Sequence, residues 1–218
     1  MAETMKPCLL IGSAPMGEGA LFRDISPEDW FIICADGGLD IAQRHGIRPH
    51  LVVGDFDSAV SRPVQSVETI VLPTAKDDTD MMFAIKEGFR RGCRDFRIFG
   101  GLGARLDHSY ANFCALRYIA QQGGTGILED DDTWIGLVHP EKPTLTLYHQ
   151  QGRTVSVFPF GEPSCTLSYE GMRYPLEHGT LTVSEPVGVS NVVEHEQAQV
   201  TLHEGCAIVL LMKHVLAE

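Results

Sequence analysis

Short apolar runs alternate with helical stretches through residues 8–138, and this alternation limits the fold more than any other feature of the chain. Between the apolar runs, three segments carry apolar residues at intervals of three and four, as amphipathic helices do. Strands and helices that alternate at this spacing predict a mainly parallel sheet that is covered on both faces. The predicted strands are 8–11, 31–34, 51–53, 69–72, 96–99 and 126–128, and the predicted helices are 39–45, 80–91 and 107–121.

The apolar pattern changes to a period of two from about residue 144 onward. Residues 145–147 and 155–157 predict one hairpin, and residues 199–203 and 207–212 predict a second one across a Glu-Gly turn. Turn residues recur too often here for helices. This part of the chain is therefore predicted to be an antiparallel sandwich or barrel-like module.

The chain has 218 residues, 44% of them hydrophobic, which is enough for one large folded domain or two small ones. The change of period falls next to a segment with two prolines, Pro140 and Pro143. We expect an α/β fold with a mainly parallel α/β/α domain at residues 1–140 and a β-rich domain at residues 141–218.

The charge and hydropathy of the chain exclude several classes of function. A net charge of −12 without a basic stripe argues against a nucleic-acid-binding surface. No run of about eighteen apolar residues occurs, and the first residues are too polar for a secretory signal, so we expect a cytoplasmic protein with no membrane span. The six cysteines form no C-x-x-C pair and are expected to be reduced, buried thiols.

Acidic loops follow several of the predicted strands. Asp36-Gly37-Gly38 follows one strand, Asp55 and Asp57 lie in the loop 54–58 after the next, and Asp77 precedes a predicted helix that begins at Asp80. In an open parallel sheet such loops meet at one edge, where ligands bind. Carboxylates gathered there repel one another unless a cation lies among them, and Mg²⁺ prefers oxygen ligands that it shares with phosphates. The sequence predicts a metal-phosphate site.

Two segments near this edge carry cations or glycines. Lys76 stands beside the proposed polyphosphate, and Thr79 alternatively caps the following helix. The loop 100–108 lacks the third glycine of a dinucleotide fingerprint, but it offers flexible backbone for phosphates, with Arg105 as a fixed cation. His108 is either a helix cap or a phosphate contact. Neither a P-loop nor a nucleophile elbow occurs.

Taken together, these motifs resemble those of the thiamine pyrophosphokinase family. The resemblance runs through most of the chain and implies transfer of pyrophosphate from ATP to the hydroxyl of thiamine, with release of AMP. It also implies an α/β ATP-binding domain, a β-sandwich domain that binds thiamine and dimerises, and a homodimer with active sites between subunits. The motifs are Asp36-Gly37-Gly38, Gly54-Asp55-Phe56-Asp57-Ser58, Asp77-x-Thr79-Asp80, the loop 100–108, Gly171-Met172-Arg173-Tyr174-Pro175-Leu176 and Gly188-Val189-Ser190-Asn191.

The resemblance also assigns residues by matching position. It implies that Asp36, Asp55, Asp57 and Asp80 hold Mg²⁺ and the ATP phosphates, and that Arg105 contacts phosphate. Ser190, with Asn191 near it, is expected to help hold the thiamine pyrimidine. The predicted catalytic residues are Asp55, Asp57, Asp80 and Arg105, and the predicted binding residues are Asp36, Gly37, Lys76, Asp77, Thr79, Asp107, His108, Ser190 and Asn191.

Two other functions use similar loops. A pyrophosphokinase that acts on a pterin alcohol would keep the Asp55 and Asp57 loop but would not require the segments 171–176 and 188–191. A non-catalytic sensor of nucleotide or thiamine would have no need of so many adjacent carboxylates. The set of motifs favours the enzyme that acts on thiamine.

Overall fold

The protein divides into two compact units, Met1–Asp131 and Asp132–Glu218. The structure, a computed structural model, describes residues 6–17, 20–23, 25–55, 66–73, 75, 77–103 and 105–213. The division lies earlier in the chain than the predicted boundary at residue 140. Strand β7 (Thr133–Val138) belongs to the second unit because it pairs antiparallel with a strand of that unit, β14 (Ala207–Met212).

The first unit contains six parallel strands in the order β6-β5-β1-β2-β3-β4. This arrangement confirms the predicted α/β fold. The six strands and the three longer helices overlap the predicted segments and differ from them by at most one residue at each end. The strands are β1 Cys8–Ile11, β2 Phe31–Ala35, β3 Leu51–Gly54, β4 Glu68–Val71, β5 Asp95–Phe99 and β6 Thr125–Glu129. The helices are α1 Ala20–Arg23, a 3₁₀ turn Pro27–Asp29, α2 Gly38–Arg44, α3 Asp80–Arg90 and α4 Leu106–Gln121.

Helices cover both faces of this sheet because its central strands are apolar on both sides. Leu9 and Ile11 of β1 belong to a buried cluster that includes Leu39 of α2. On the opposite face α3 lies against the strands, and a Cβ on its Gly88 would be 2.6 Å from the Phe96 ring. The longest helix among the described residues, α4, has 16 residues and does not reach the length and apolarity that a bilayer-spanning helix needs.

The strand order reverses direction at β1, which pairs with both β2 and β5. The chain runs outward from β1 to β4, and α3 then returns it to β5 on the other side of β1. The carboxyl ends of β1 and β5 therefore lead into loops that diverge. Ligands of open parallel sheets bind at such a point.

The second unit contains two antiparallel sheets, in the orders β12-β9-β14-β7 and β11-β10-β13-β8. Their inward-facing residues, such as Leu147, Val157, Val200 and Val209, form one buried cluster. The unit is thus a β-sandwich, as predicted from the family resemblance. Its remaining strands are β8 Thr144–Tyr148, β9 Thr154–Pro159, β10 Ser164–Glu170, β11 Leu176–Thr182, β12 Asn191–Val192 and β13 Gln197–Glu204.

Both hairpins predicted for this unit are wrong. Strand β8 pairs with β13, whereas β9 pairs with β14 and β12. The predicted partners β13 and β14 likewise lie in different sheets. At both of these connections, β8 to β9 and β13 to β14, the chain crosses from one sheet to the other. The consecutive strands therefore place their apolar side chains in the shared core and do not pair edge to edge.

Candidate functional site

A cavity of about 250 Å³ opens at the point where the strand order of the first unit reverses. The loops after β1, β2 and β5 form it, together with the first turns of α3 and α4. Four of the predicted site residues both line this cavity and have an acidic or basic side chain. They are Asp36, Asp80, Arg105 and His108.

The loops around the cavity lie in direct backbone contact. A Cβ on Gly12, after β1, would be 2.5 Å from the carbonyl oxygen of Gly100, after β5. A Cβ on Gly38, at the start of α2, would be 1.9 Å from the carbonyl oxygen of Ile11. No side chain fits at these two positions, so the backbones of these segments pack directly against one another.

Asp36 occupies a strained position directly after β2. Its φ of 49° lies in the left-handed region, which residues other than glycine seldom adopt. Its backbone N–H donates to the Val53 carbonyl at 2.8 Å, and Gly54 packs against its Cα. Strain of this kind persists where the surrounding structure enforces it, and it concentrates at functional sites. The carboxylate of Asp36 is thereby held at the cavity.

Asp80 begins helix α3, and its neighbours fix the loop before it. Thr79 is the N-cap residue, and its hydroxyl accepts a hydrogen bond from the Met82 N–H at 3.1 Å, which is the alternative that the sequence left open. Asp78 forms an ion pair with Lys86 at 2.7 Å. Both contacts hold the first turn of α3, so that Asp80 and Thr79 line the cavity whereas Asp77 does not.

Arg105 and Asp107 form a bidentate ion pair at the start of α4. Arg105 Nε lies 3.1 Å from Asp107 Oδ1, and Nη2 lies 2.5 Å from Oδ2. This hydrogen bonding, with a backbone N–H from His108, lowers the pKa of Asp107 to about 2. Both side chains are about two-thirds exposed. Asp107 is therefore a charged carboxylate at neutral pH that orients the Arg105 guanidinium, and His108 lines the cavity beside them.

The carboxylates at the cavity suit a small, hard cation. Asp36, after β2, and Asp80, at the start of α3, bring two carboxylates to the cavity, and Mg²⁺ is usually held by one or two carboxylates together with substrate phosphates. Among the residues that the structure describes, no three His, Cys, Asp or Glu side chains form a metal cluster. Asp55 follows β3 but does not line the cavity, and Asp57 and Lys76 lie outside the described residues.

The two predicted site residues of the second unit are adjacent and well held. Ser190 has a φ of 59°, and its N–H donates to the Ser156 hydroxyl at 3.1 Å. The buried Asn191 side chain accepts from the Tyr174 N–H at 3.0 Å and donates to the Tyr174 carbonyl at 2.8 Å. Asn191 thus fastens the segment 171–176 to the turn 188–191, which brings together the two motifs that the resemblance singled out in this part of the chain.

Sequence reasoning missed two polar residues that line the cavity. Ser13 lies in the loop after β1, and Asn112 lies on the buried face of α4. Ser13 carried no signal beyond its position after a strand. Asn112 did carry one, because a polar side chain on the buried stripe of an amphipathic helix needs a buried partner.

Comparisons with known proteins give consistent results along the chain. A family model described as thiamin pyrophosphokinase, catalytic domain, matches residues 22–126, and one described as thiamin pyrophosphokinase, vitamin B1 binding domain, matches residues 130–207. A thiamine pyrophosphokinase from Bacillus subtilis (strain 168) is 26% identical over 211 residues, which cover 94% of this chain and 98% of the relative.

Solved structures share the fold at lower identity. The crystal structure of thiamine pyrophosphokinase from Bacillus subtilis has a TM-score of 0.83 at 22% identity and covers 95% of this chain and 99% of that one. Thiamin pyrophosphokinase from Candida albicans has a TM-score of 0.75 at 15% identity, covering 95% of this chain and 88% of that one. The first family match lies within the first unit, and the second covers most of the second unit.

Proposed function

Because the chain belongs to the thiamine pyrophosphokinase family and is an enzyme that pyrophosphorylates thiamine, we propose that ATP is its donor, AMP its second product and Mg²⁺ its cofactor. The observation that carries this proposal is the cavity at the reversal of the strand order, where two carboxylates and a guanidinium line one space. A metal-bound polyphosphate needs both kinds of charge, because carboxylates bind the metal ion and a cationic side chain binds the phosphates. A cytoplasmic location belongs to the same proposal, because the enzyme needs a compartment that supplies ATP and Mg²⁺.

We assign the cation to the acidic loops. Asp36 and Asp80 would hold it from the described part of the site, with Asp55 and Asp57 from the loop after β3. When bound, Mg²⁺ supplies charge neutralisation on the β- and γ-phosphates and a fixed geometry for the β-phosphorus. The strained backbone of Asp36 supports this assignment, since it holds the carboxylate in place before substrate arrives.

Arg105 would bind phosphate while it keeps its ion pair with Asp107. A guanidinium has five N–H donors, and Asp107 uses those on Nε and Nη2. The remaining donors are available to an ATP phosphate while Asp107 keeps the guanidinium plane oriented. Asp107 would therefore act through Arg105, and His108 would complete the phosphate side of the cavity together with the glycine loop and Thr79.

The reaction would be an in-line displacement at the β-phosphorus. The hydroxyl oxygen of thiamine forms the new bond to the β-phosphorus, and the bond from the β-phosphorus to the oxygen that bridges to the α-phosphate breaks, releasing AMP. One of Asp55, Asp57 and Asp80 accepts the hydroxyl proton. Arg105 stabilises the charge that develops on the leaving phosphate.

Thiamine would be held from the second unit. Ser190, in its left-handed conformation, and Asn191, which fastens the segment 171–176, offer a fixed polar edge for the pyrimidine. The positive charge of the thiazolium ring suits a protein with a net charge of −12.

A homodimer is part of the proposal. Five large apolar side chains of the second unit are each more than half exposed, namely Tyr148, Tyr174, Val183, Val187 and Val189. Where such side chains adjoin, they mark an association surface, and a closed symmetric dimer would bury them on both copies. Size-exclusion chromatography with light scattering should give twice the chain mass of 23.9 kDa. Val187→Glu should reduce the mass to that of one chain, whereas Val71→Glu, at an equally exposed valine of the first unit, should not.

The activity is tested by incubating the purified protein with ATP, Mg²⁺ and thiamine and separating the products by chromatography. Thiamine diphosphate and AMP should appear in equal amounts, and chelation of Mg²⁺ should abolish both. ADP with thiamine monophosphate would contradict the proposed transfer. Binding of both substrates without turnover would indicate a sensor.

A further inference from the structure

Two buried polar side chains on helix α4 lie where an amphipathic helix carries apolar residues. Ser109 is 7% exposed and Asn112 is 8% exposed, on the same buried stripe as Leu116 and Ile119. Burying a hydroxyl or an amide costs free energy unless its hydrogen bonds are replaced inside the protein. What these two side chains bind therefore indicates why they are there.

Both side chains bind the backbone of the glycine loop that precedes α4. The Ser109 hydroxyl accepts a hydrogen bond from the Gly103 N–H at 3.1 Å and lies 3.1 Å from the Arg105 carbonyl, to which it donates. The Asn112 amide donates to the Gly101 carbonyl at 2.7 Å. One face of α4 thus holds the backbone of Gly101, Gly103 and Arg105.

The backbone of the loop is in the left-handed conformation at Gly103. Its φ is 81°, and a Cβ built on it would meet nothing within 4 Å, so the space on that side of the residue is open. Among the described residues, the N-cap position of α4 is Arg105, whose side chain makes no capping hydrogen bond and turns to Asp107 instead. Ser109, one turn into the helix, instead binds the N–H of Gly103, two residues before the N-cap.

We propose that Ser109 and Asn112 are positioning residues that hold the loop 101–105 in its phosphate-binding shape and so place Arg105 for ATP. This inference rests on the proposed function and extends it to two residues that neither the acidic motifs nor the ion pair contain. Ser109 is not among the described residues that line the cavity, and Asn112, which does line it, donates one of its two amide N–H groups to Gly101. They act by ordering the loop before ATP binds, so that ATP binding does not have to supply the free energy of ordering the loop.

The test compares Ser109→Ala and Asn112→Ala with the unmodified protein. Steady-state kinetics should give KM separately for ATP and thiamine, and calorimetry should give the Kd of Mg²⁺–ATP without turnover. Each variant should raise the KM and Kd for ATP about tenfold, the effect of one lost hydrogen bond, and leave the KM for thiamine unchanged. Ser109→Thr, which keeps the hydroxyl, should restore most of the affinity.

The double variant and a matched control sharpen the test. Because both side chains hold the same loop, the double variant should lose less ATP affinity than the two single losses multiplied together. Ser168→Ala in the second unit removes a hydroxyl that accepts a backbone N–H, that of His178, at 3.0 Å, and should leave ATP binding unchanged.

Two results would overturn the inference. One is a change in ATP affinity of less than about twofold in both single variants. The other is an equal loss of affinity for ATP and thiamine that follows a fall in Tm, which a merely structural role would produce. If the unmodified protein makes no thiamine diphosphate, the proposed function fails, but the Kd of ATP still decides whether the two residues position the loop.

Discussion

Replacing Gly38 with alanine should move the start of helix α2 away from strand β1 and with it the loop that carries Asp36. A Cβ at this position would lie 1.9 Å from the Ile11 carbonyl oxygen and 2.6 Å from its carbon, both backbone atoms. Contacts of a real Cβ atom do not fall below 3.0 Å, so the two segments must separate by more than 1 Å. Ile11 cannot yield easily because β1 pairs with strands on both sides.

The expected cost follows from this displacement. Overpacking of a well-packed core costs about 1–3 kcal/mol, which for a protein of this size lowers Tm by roughly 2–12 °C. Activity should fall further, because misplacing a catalytic group by 1 Å can cost about a hundredfold in rate. Thermal unfolding followed by circular dichroism gives the first quantity, and kcat/KM for ATP gives the second.

Gly126→Ala is the matched control for this prediction. A Cβ there would also be crowded, at 2.9 Å from Leu116 Cδ2 and 3.0 Å from Ile119 Cδ1, but these are the ends of flexible side chains. Its stability should stay within about 1 kcal/mol of the unmodified protein. Unchanged activity and Tm in Gly38→Ala, or an equal loss in Gly126→Ala, would refute the reasoning from backbone contact.

Two further substitutions test charged groups. Hydrogen bonds from Arg90 and Arg91 lower the pKa of the buried Glu87 below its usual 4.5, so this stabilisation is present above pH 4.5 and is lost as pH falls through the lowered value. Glu87→Gln should reduce the free energy of urea unfolding by only about 1–2 kcal/mol at pH 7, because the exposed Arg90 is screened by solvent. The difference in free energy between the two proteins should shrink below pH 4.5, and a difference that is independent of pH would contradict this. Arg105→Ala should lower kcat/KM for ATP by roughly 10³. Arg105→Lys should recover little of it, because lysine lacks the planar fork, and near-complete recovery would show that only charge matters.

The first unit could be predicted closely because buried parallel strands leave a strong mark in the sequence. Runs such as Cys8–Ile11 and Leu51–Gly54 are buried at every position, so they appear as continuous apolar segments between amphipathic helices. The position of Asp36, Asp80 and Arg105 at one cavity follows from the same topology, since loops at the carboxyl ends of parallel strands converge.

Strand partners in the second unit could not be predicted in the same way. Alternation along residues 144–148 and 154–159 shows which side chains face the core, but it contains no information about which neighbour supplies the hydrogen bonds. A short connection with Gly152 suits a hairpin and a crossover between sheets equally. The hydrogen bonds of Ser109 could not be predicted for a different reason. Its partners are backbone atoms, which every residue has, so the sequence does not indicate them.

The crossovers in the second unit have a consequence for how it folds. Strand β13 lies between β8 and β10, and β14 lies between β7 and β9. Each of the last two strands in sequence is therefore a central strand of its own sheet. The pairs Leu147 with Ala198 and Pro159 with Ala207 join residues about fifty positions apart, and such non-local pairing slows folding. During synthesis neither sheet can be completed until residues 197–212 have left the ribosome, and the apolar faces of the earlier strands depend on protection from aggregation until then.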